Sequence, residues 1–285
     1  MNLTEQILDL KNQGLSQREI AEKIGMSRGG VRHHLAKNTE QETALVFNDL
    51  HYRFQDDKAI ELTLKAGDDL EPDYIFLNGD LIDNWEISKF HKSSKLRSKA
   101  SLSKELKDAR KFLTDLRHRF PASTIFYIGG NHEYRWERMV DKCTPHLSVT
   151  RNLLPHFLGL KDLDIQWVKD AGKTPVRTTT GRGKVRFLHG HEVRGSSAFP
   201  ARHALKIAQL LDEPVHIGHT HKFGIMFSPS KRQGELFAIE GGYVAQRDSE
   251  GMRYAYPHNM WMAGVYCIYD DKDKSSPLPQ IHIVE

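Results

Sequence analysis

The chain has only two cysteines in 285 residues, Cys143 and Cys267. They stand far apart and outside any Cys-x-x-Cys spacing, which argues against a disulfide-stapled scaffold and a thiolate metal site. Both read as ordinary packed residues, and a reduced, cytoplasmic setting is the expectation. No apolar run approaches the roughly 18 residues that a membrane-spanning helix requires. The opening residues, Met1-Asn2-Leu3-Thr4-Glu5-Gln6, lack the basic and then apolar regions of a secretory signal. No membrane partner is therefore expected. Neither sign of charge dominates: 41 Lys and Arg stand against 37 Asp and Glu, a net charge of +4. Such a mild basic bias permits a polyanionic partner without requiring one. At 39% hydrophobic and 27% charged, the composition is that of a globular protein with one large domain, alone or beside a small one.

What the chain does have is a series of short apolar runs that end in Asp, Asn and His. The clusters are Asp49-Leu50-His51, Gly79-Asp80-Leu81-Ile82-Asp83, Gly130-Asn131-His132-Glu133, His189-Gly190-His191 and Gly218-His219-Thr220-His221. The runs before them, 44–48, 74–78, 124–128, 186–188 and 215–217, read as buried strands. In open α/β sheets chemistry collects just past the strands' carboxyl ends. Five such ends converging would gather about eight oxygen and nitrogen ligands, which fits a two-metal site. Any one of these histidines, taken alone, reads equally as a core or surface residue.

Ahead of them, residues 1–38 read as three short helices. Asn2 with Glu5 and Ser16 with Glu19 are capping boxes, and Ser27 caps the third helix. Ala21, Gly25 and Val31 fall where two helices must touch, turn and pack, a spacing that resembles the helix-turn-helix of small DNA-binding regulators and recombinases over residues 15–37. The third helix would then present Arg28, Arg32 and His33 to a major groove. A unit that merely docks on the main domain or on a protein is the other reading. Residues 39–43 read as a linker to a main domain over 44–285. Lysines and arginines outnumber acids between Glu86 and Arg117; Leu102, Leu106, Leu113 and Leu116 make part of that stretch an amphipathic helix. Lys89 to Lys99 is either solvated surface or a phosphate-contacting rim.

Taken in order, DxH, GDxxD, GNHE, HGH and GHTH resemble the calcineurin-like metallophosphoesterase superfamily, over residues 44–240. The resemblance implies an α/β fold of two packed β-sheets flanked by helices, preceded here by the small all-α unit. It implies that Asp49, His51, Asp80 and His221 bind one divalent metal ion, and that Asp80, Asn131, His189 and His219 bind a second. Mn²⁺ is the first expectation for this mixed oxygen and nitrogen set, with Fe or Zn²⁺ as the others. A hydroxide bridging the two cations would attack phosphorus in line, without a covalent enzyme intermediate. His132 would protonate the leaving oxygen, and Asp83 would orient it. Glu133 is read as a group that anchors its loop or binds a neighbour of the ligands rather than a catalytic group, and His191 as a residue that touches a ligand or the substrate.

One departure carries information. Protein Ser/Thr phosphatases of this superfamily have Arg-Gly after the second Asp of GDxxD, whereas Asn84-Trp85 follows Asp83 here. Arg135 or Arg194 could grip substrate phosphate in its place, and the mix of aromatic and basic residues over 134–138 suits nucleic acid. The first functional expectation is a two-metal phosphoesterase acting on nucleic acid, DNA foremost, as a nuclease. The alternative is a phosphatase or phosphodiesterase for small nucleotides or phosphoproteins, its helix-turn-helix serving docking or regulation. A DNA-binding regulator with a dead catalytic domain is disfavoured by the complete ligand set. The tail strands, 265–269 and 281–284, are expected to complete the second sheet.

Overall fold

The structure, a computed structural model, describes residues 3–36, 42–88, 101–143, 145–180, 183–195, 197–230, 232, 234–250, 252, 261–263, 265–269 and 280–283. Helices α1 (Leu3–Asn12), α2 (Gln17–Ile24) and α3 (Arg28–Ala36) open the chain. Ser16 and Glu19 make the reciprocal capping box at the start of α2, and Gly25 ends it with φ 71°. Ser27 Oγ accepts the Gly30 amide at the start of α3. Ile7, Leu10, Ile20, Ala21, Val31 and Leu35 bury one another in a small core of their own. The box expected at Asn2 lies outside the described residues.

The main body alternates strands and helices: β1 (Ala44–Phe47), α4 (Asp57–Leu70), β2 (Tyr74–Asn78), α5 (Leu102–Arg119), β3 (Thr124–Ile128) and α6 (Tyr134–Cys143). A 3-10 turn (Pro145–Asn152), α7 (Leu154–Phe157) and β4 (Ile165–Val168) follow. Next come β5 (Val176–Thr180), β6 (Gly183–Leu188), α8 (Arg202–Leu211), β7 (Val215–Ile217), β8 (Phe223–Ser230), β9 (Gly234–Gly241), β10 (Val265–Tyr269) and β11 (Gln280–Ile283). Two sheets result, in the orders β11-β10-β1-β2-β3-β4 and β5-β6-β7-β9-β8. β1 to β4 run parallel, as do β6, β7 and β9, so the loops that end these strands open towards one rim.

The sequence period of two sorts residues between two cores. Leu45, Phe47, Ile75, Leu77, Ile125 and Tyr127 point one way, onto Ile60, Phe112, Leu113 and Phe120. Ala44, Val46, Phe76 and Ile128 point the other way, onto Val185, Phe187, Val215 and Ile239 of the second sheet. Phe76 lies between Phe187 and Phe126, its centroid 3.9 and 5.5 Å from theirs.

Two expectations need correcting. The tail strands do not complete the second sheet: β10 pairs antiparallel with β1, and β11 with β10, so they extend the first. β1 begins the parallel run and has an open edge, which the tail covers. Cys143 is exposed at the end of α6 rather than packed, and the Cys267 side chain lies outside the described residues. Among the described residues no helix is long and apolar enough to cross a membrane.

Because Phe76 is fully buried where the sheets meet, Phe76→Ala should cost about 3–5 kcal/mol of stability in denaturant unfolding. A cost below about 1 kcal/mol would mean that the sheets do not pack through this ring.

Candidate metal centre

All five motif loops arrive at the rim, and their glycines show why the motifs need them. A Cβ on Gly130 would sit 2.2 Å from Asp80 Oδ1, and one on Gly218 would sit 2.2 Å from Asp49 Oδ2. Five of the polar residues themselves adopt left-handed backbone: Asp49 (φ 49°), His51 (46°), Asp80 (48°), His219 (64°) and His221 (57°). Non-glycine residues hold that conformation at a cost on the order of 1–3 kcal/mol each, and such strain collects at functional sites.

Three donor clusters form. Asp49, His51 and His221 make one; Asp80, His189 and His219 make another; His51, Asp83 and His132 make the third. In the first, His51 Nε2 lies 3.1 Å from His221 Nε2 and His221 Nε2 3.3 Å from Asp49 Oδ1. Asp80 Oδ2 stands 3.9 Å from His51 Nε2 and 3.3 Å from His189 Nε2, so it lies between the first two clusters. Asn131 Oδ1 joins the second at 3.3 Å from His189 Nε2. The seven residues singled out as ligands therefore all meet at this rim.

The donor chemistry fits divalent cations. Burial by itself would raise the Asp80 carboxyl, but the charges of His132 and His189 outweigh it and hold the group well below the usual range. Asp49 is likewise lowered, burial being overcome by His189 and His221. Burial lowers His51 and pushes His219 down to about 3, leaving these two imidazoles neutral. At His189 burial is outweighed by the charges of Asp80 and Asp49, which raise it well above the usual histidine range. Carboxylates and imidazoles, with no thiolate, are the ligand types that Mn, Fe and Zn take.

Backbone and side chains fix each donor. His51 Nδ1 donates to Asp83 Oδ2 at 3.0 Å, and His189 Nδ1 donates to Asn78 O at 3.0 Å, which turns both Nε2 atoms to the centre. His221 is stacked on Tyr243 and meets Trp261 edge-on. Glu133 accepts from the amides of Gly130, Asp80 and Ile82 and from the Tyr127 hydroxyl, at 2.7–3.3 Å. Glu240 accepts from Thr220 Oγ1 at 2.9 Å and from the His203 amide at 3.2 Å, tying the last motif loop to α8.

His132 stands beside the clusters, its Nε2 3.7 Å from Asp80 Oδ2 and its Nδ1 3.2 Å from Asp83 Oδ2. Burial disfavours its charged form, yet the charges of Asp80 and Asp83 prevail and raise its affinity for a proton. Arg135 Nη1 reaches Asp83 Oδ1 at 3.1 Å, and its Nη2 lies 2.7 Å from His132 Nε2. A guanidinium only donates, so in this geometry His132 Nε2 accepts and the ring's proton is on Nδ1. His191 lies 5.3 Å from both His189 and Tyr134 by ring centroid. Arg194 is exposed on the loop that follows, outside this set of mutually contacting side chains.

The helix-turn-helix residues lie elsewhere. Arg28 is not free: its Nε lies 3.3 Å from Glu71 Oε1, while Glu71 Oε2 accepts the Gln17 amide at 3.0 Å. The side chains of Arg32 and His33 lie outside the described residues, as does the basic stretch Lys89 to Lys99. Sequence reasoning did not single out Glu105, Glu240 or His203. Glu105 is buried and accepts from the Asn84 and Trp85 amides, fixing the loop after Asp83. The one signal available was a charge inside an apolar pattern, as at Glu240 after Phe237-Ala238-Ile239.

The calcineurin-like phosphoesterase family matches residues 43–223, and a winged helix-turn-helix DNA-binding family matches residues 10–37. No curated protein matches the chain. Among solved structures, a single-mutant Vps29 from Entamoeba histolytica aligns at 12% identity over 85% of this chain and 98% of its own, with a TM-score of 0.38. Yfce, a phosphoesterase from E. coli, aligns at 11% identity over 85% of this chain and 100% of its own, with a TM-score of 0.37.

Burial, reinforced by the charge of Asp83, pushes the Glu105 carboxyl up to about 8. A folded-state value above the unfolded one means stability that is complete below about pH 4.5 and lost as pH rises through about 8. Unfolding of the wild type and of Glu105→Gln across this window should therefore show the wild type losing stability relative to the variant. Parallel pH profiles would contradict a protonated buried Glu105.

Proposed function

The chain belongs to the calcineurin-like phosphoesterase family, and from that premise we propose that it is a two-metal hydrolase of phosphodiester bonds in nucleic acid, DNA foremost. The observation that carries the reading is Asp80, whose carboxylate lies between the Asp49-His51-His221 cluster and the His189-His219 cluster. We assign one cation to Asp49, His51, Asp80 and His221, and the other to Asp80, Asn131, His189 and His219. Mn²⁺ is the assigned metal, with Fe or Zn²⁺ also compatible with the donor set. Two such ions, when bound, act as Lewis acids towards a phosphoester and lower the pKa of water towards about 7.

The chain's own residues supply the rest. His132 is assigned the proton for the leaving oxygen. Asp83 accepts from its Nδ1, so Nε2 faces the substrate side. Protonation at Nε2 requires Arg135 to let go of that atom. A substrate phosphate is a stronger acceptor for the guanidinium than an imidazole nitrogen, and would draw Arg135 away. Arg135 thus serves both as phosphate grip and as the group whose departure frees the acid. His191 and Arg194 are assigned to the substrate's approach.

Residues 1–38 are assigned as the DNA-binding unit, 39–43 as linker and 44–285 as the catalytic domain. The winged helix-turn-helix match supports the first of these, with Arg28, Arg32 and His33 as its contacts. Arg28's pairing with Glu71 favours a second reading, in which the small unit docks on the catalytic domain.

Asp80→Ala should abolish metal binding by calorimetry together with metal-dependent phosphodiester turnover. His132→Ala should keep the metal and lose rate most on substrates with poor leaving groups; loss of the metal would contradict its assignment. Glu71→Ala discriminates the two roles of the small unit. If Arg28 binds DNA, releasing it should raise DNA affinity of the full chain several-fold, and removing residues 1–38 should flatten the salt dependence. Unchanged affinity in both variants would leave only the docking role.

A further inference from the structure

Beside the metal centre, under α6, lies a cavity of about 330 Å³ that the reaction as assigned does not use. Its walls are the indoles of Trp136 and Trp167, the Tyr134 ring and Pro155. It shares Tyr134, Trp167, Arg151 and Lys169 with a wider groove of about 800 Å³ that runs to Asn131 and His191. The geometry points to a nucleobase pocket: the cavity receives a base of the strand whose phosphodiester is held at the metal centre. This deepens the nucleic-acid reading above and rests on it for the strand, though not for the base.

The two indoles are fixed before any ligand arrives. Trp136 Nε1 donates to Thr150 O at 3.0 Å, and its ring meets Phe157 edge-on at 5.4 Å. Trp167 meets Tyr127 edge-on at 4.9 Å. Both remain half-buried, with surface left to the cavity. Rings held in this way lose little freedom when a flat ligand stacks on them, which is the condition for tight stacking. Every base has a π-face, so such a wall accepts a strand without demanding a sequence.

The rim supplies the charge that a strand needs. Arg138, Arg151, Lys169 and Lys173 line the two spaces, against Glu137 and Asp170 at the rim. Glu133 lies behind them and is turned to backbone amides. Glu137 is held between Lys169 Nζ at 2.7 Å and Arg151 Nε at 3.3 Å. Arg151 also meets Asp141 at 3.1 Å and Lys173 meets Asp170 at 3.2 Å, which sets these cations in place and leaves Arg138 to add the surplus positive charge. Arg138 donates to the carbonyl of Asn131 at 2.7 Å, so one cation stands directly at the entrance from the metal centre. An apolar slot with a cationic rim, continuous with a phosphate-binding centre, matches base, backbone and scissile phosphate in that order. A phosphoserine or phosphothreonine side chain would leave the two indoles without a flat partner.

The test uses the metal-loaded, full-length protein turning over a chromogenic phosphodiester that carries no base. Deoxyadenosine 5′-monophosphate and 2-deoxyribose 5-phosphate are compared as competitive inhibitors. A base that stacks in the slot should lower the inhibition constant by about tenfold or more. Equal constants overturn the pocket. In Trp136→Phe, which keeps an aromatic ring and the fold, the ratio of the two constants should shrink; a ratio unchanged both there and in Trp167→Phe also overturns it. Oligonucleotides with one abasic position moved along the strand test the strand itself. One position should raise KM by about tenfold, and a profile flat at every position overturns the placement beside the cleavage site. Failure to cleave any oligonucleotide while the nucleotide still inhibits tenfold better would sink the nuclease reading and leave the base pocket standing.

Discussion

Glu133 accepts hydrogen bonds from the amides of Gly130, Asp80 and Ile82 and from the Tyr127 hydroxyl. The loop after β2 and the loop after β3 thereby share one buried anchor, and each carries donors to the candidate metal centre. Burial and the charge of Asp80 raise the Glu133 carboxyl, while Tyr127 and the Gly130 amide oppose them. A carboxyl in the interior is costly unless its lone pairs are satisfied, and here they are. If this residue were truncated, several amides would be left buried without partners, at about 1–3 kcal/mol each. The spacing of Asp80 from Asn131 therefore depends on a group that touches neither metal nor substrate in the proposed scheme.

The same logic runs through the rest of the rim. Glu240 ties the last motif loop to α8. Asn48 bridges Asn78 and the neutral His216, which joins β1 to both β2 and β7 beneath the centre. Glu105 holds the amides of Asn84 and Trp85 just past Asp83. These buried polar groups offset the left-handed strain at Asp49, His51, Asp80, His219 and His221, because each loop is pinned at more points than its own turn supplies. Convergence without such pinning would leave the carboxylates free to move apart, as their mutual repulsion favours.

The three small helices meet this body through Glu71. A left-handed cap residue at the end of α4, it offers one carboxylate oxygen to the amide at the start of α2 and the other to Arg28. A carboxylate in that position occupies what a DNA phosphate would otherwise take, an amide at a helix N-terminus and a guanidinium. In the proposed scheme, docking and DNA binding by this face would therefore compete for the same atoms.

Much of this was legible in the chain itself. Short apolar runs ending in Asp, Asn and His give the strands 74–78, 124–128 and 215–217 as observed, because strand burial and loop chemistry both leave local marks. The capping box at Ser16 and Glu19 and the turn at Gly25 are equally local, and so are the glycines that leave room for Asp80 and Asp49. The edge chosen by the tail strands was not legible, since either sheet offers the same backbone hydrogen bonds and only packing selects between them. Nor were the partners of Glu133, Glu240 and Glu105, Arg28's pairing with Glu71, or the cavity between Trp136 and Trp167. Each joins residues brought together by the packing of separate elements, and a side chain's type does not say which distant amide, cation or ring it will meet. Residue pattern determined which donors the chain carries; tertiary packing decided how far apart they stand.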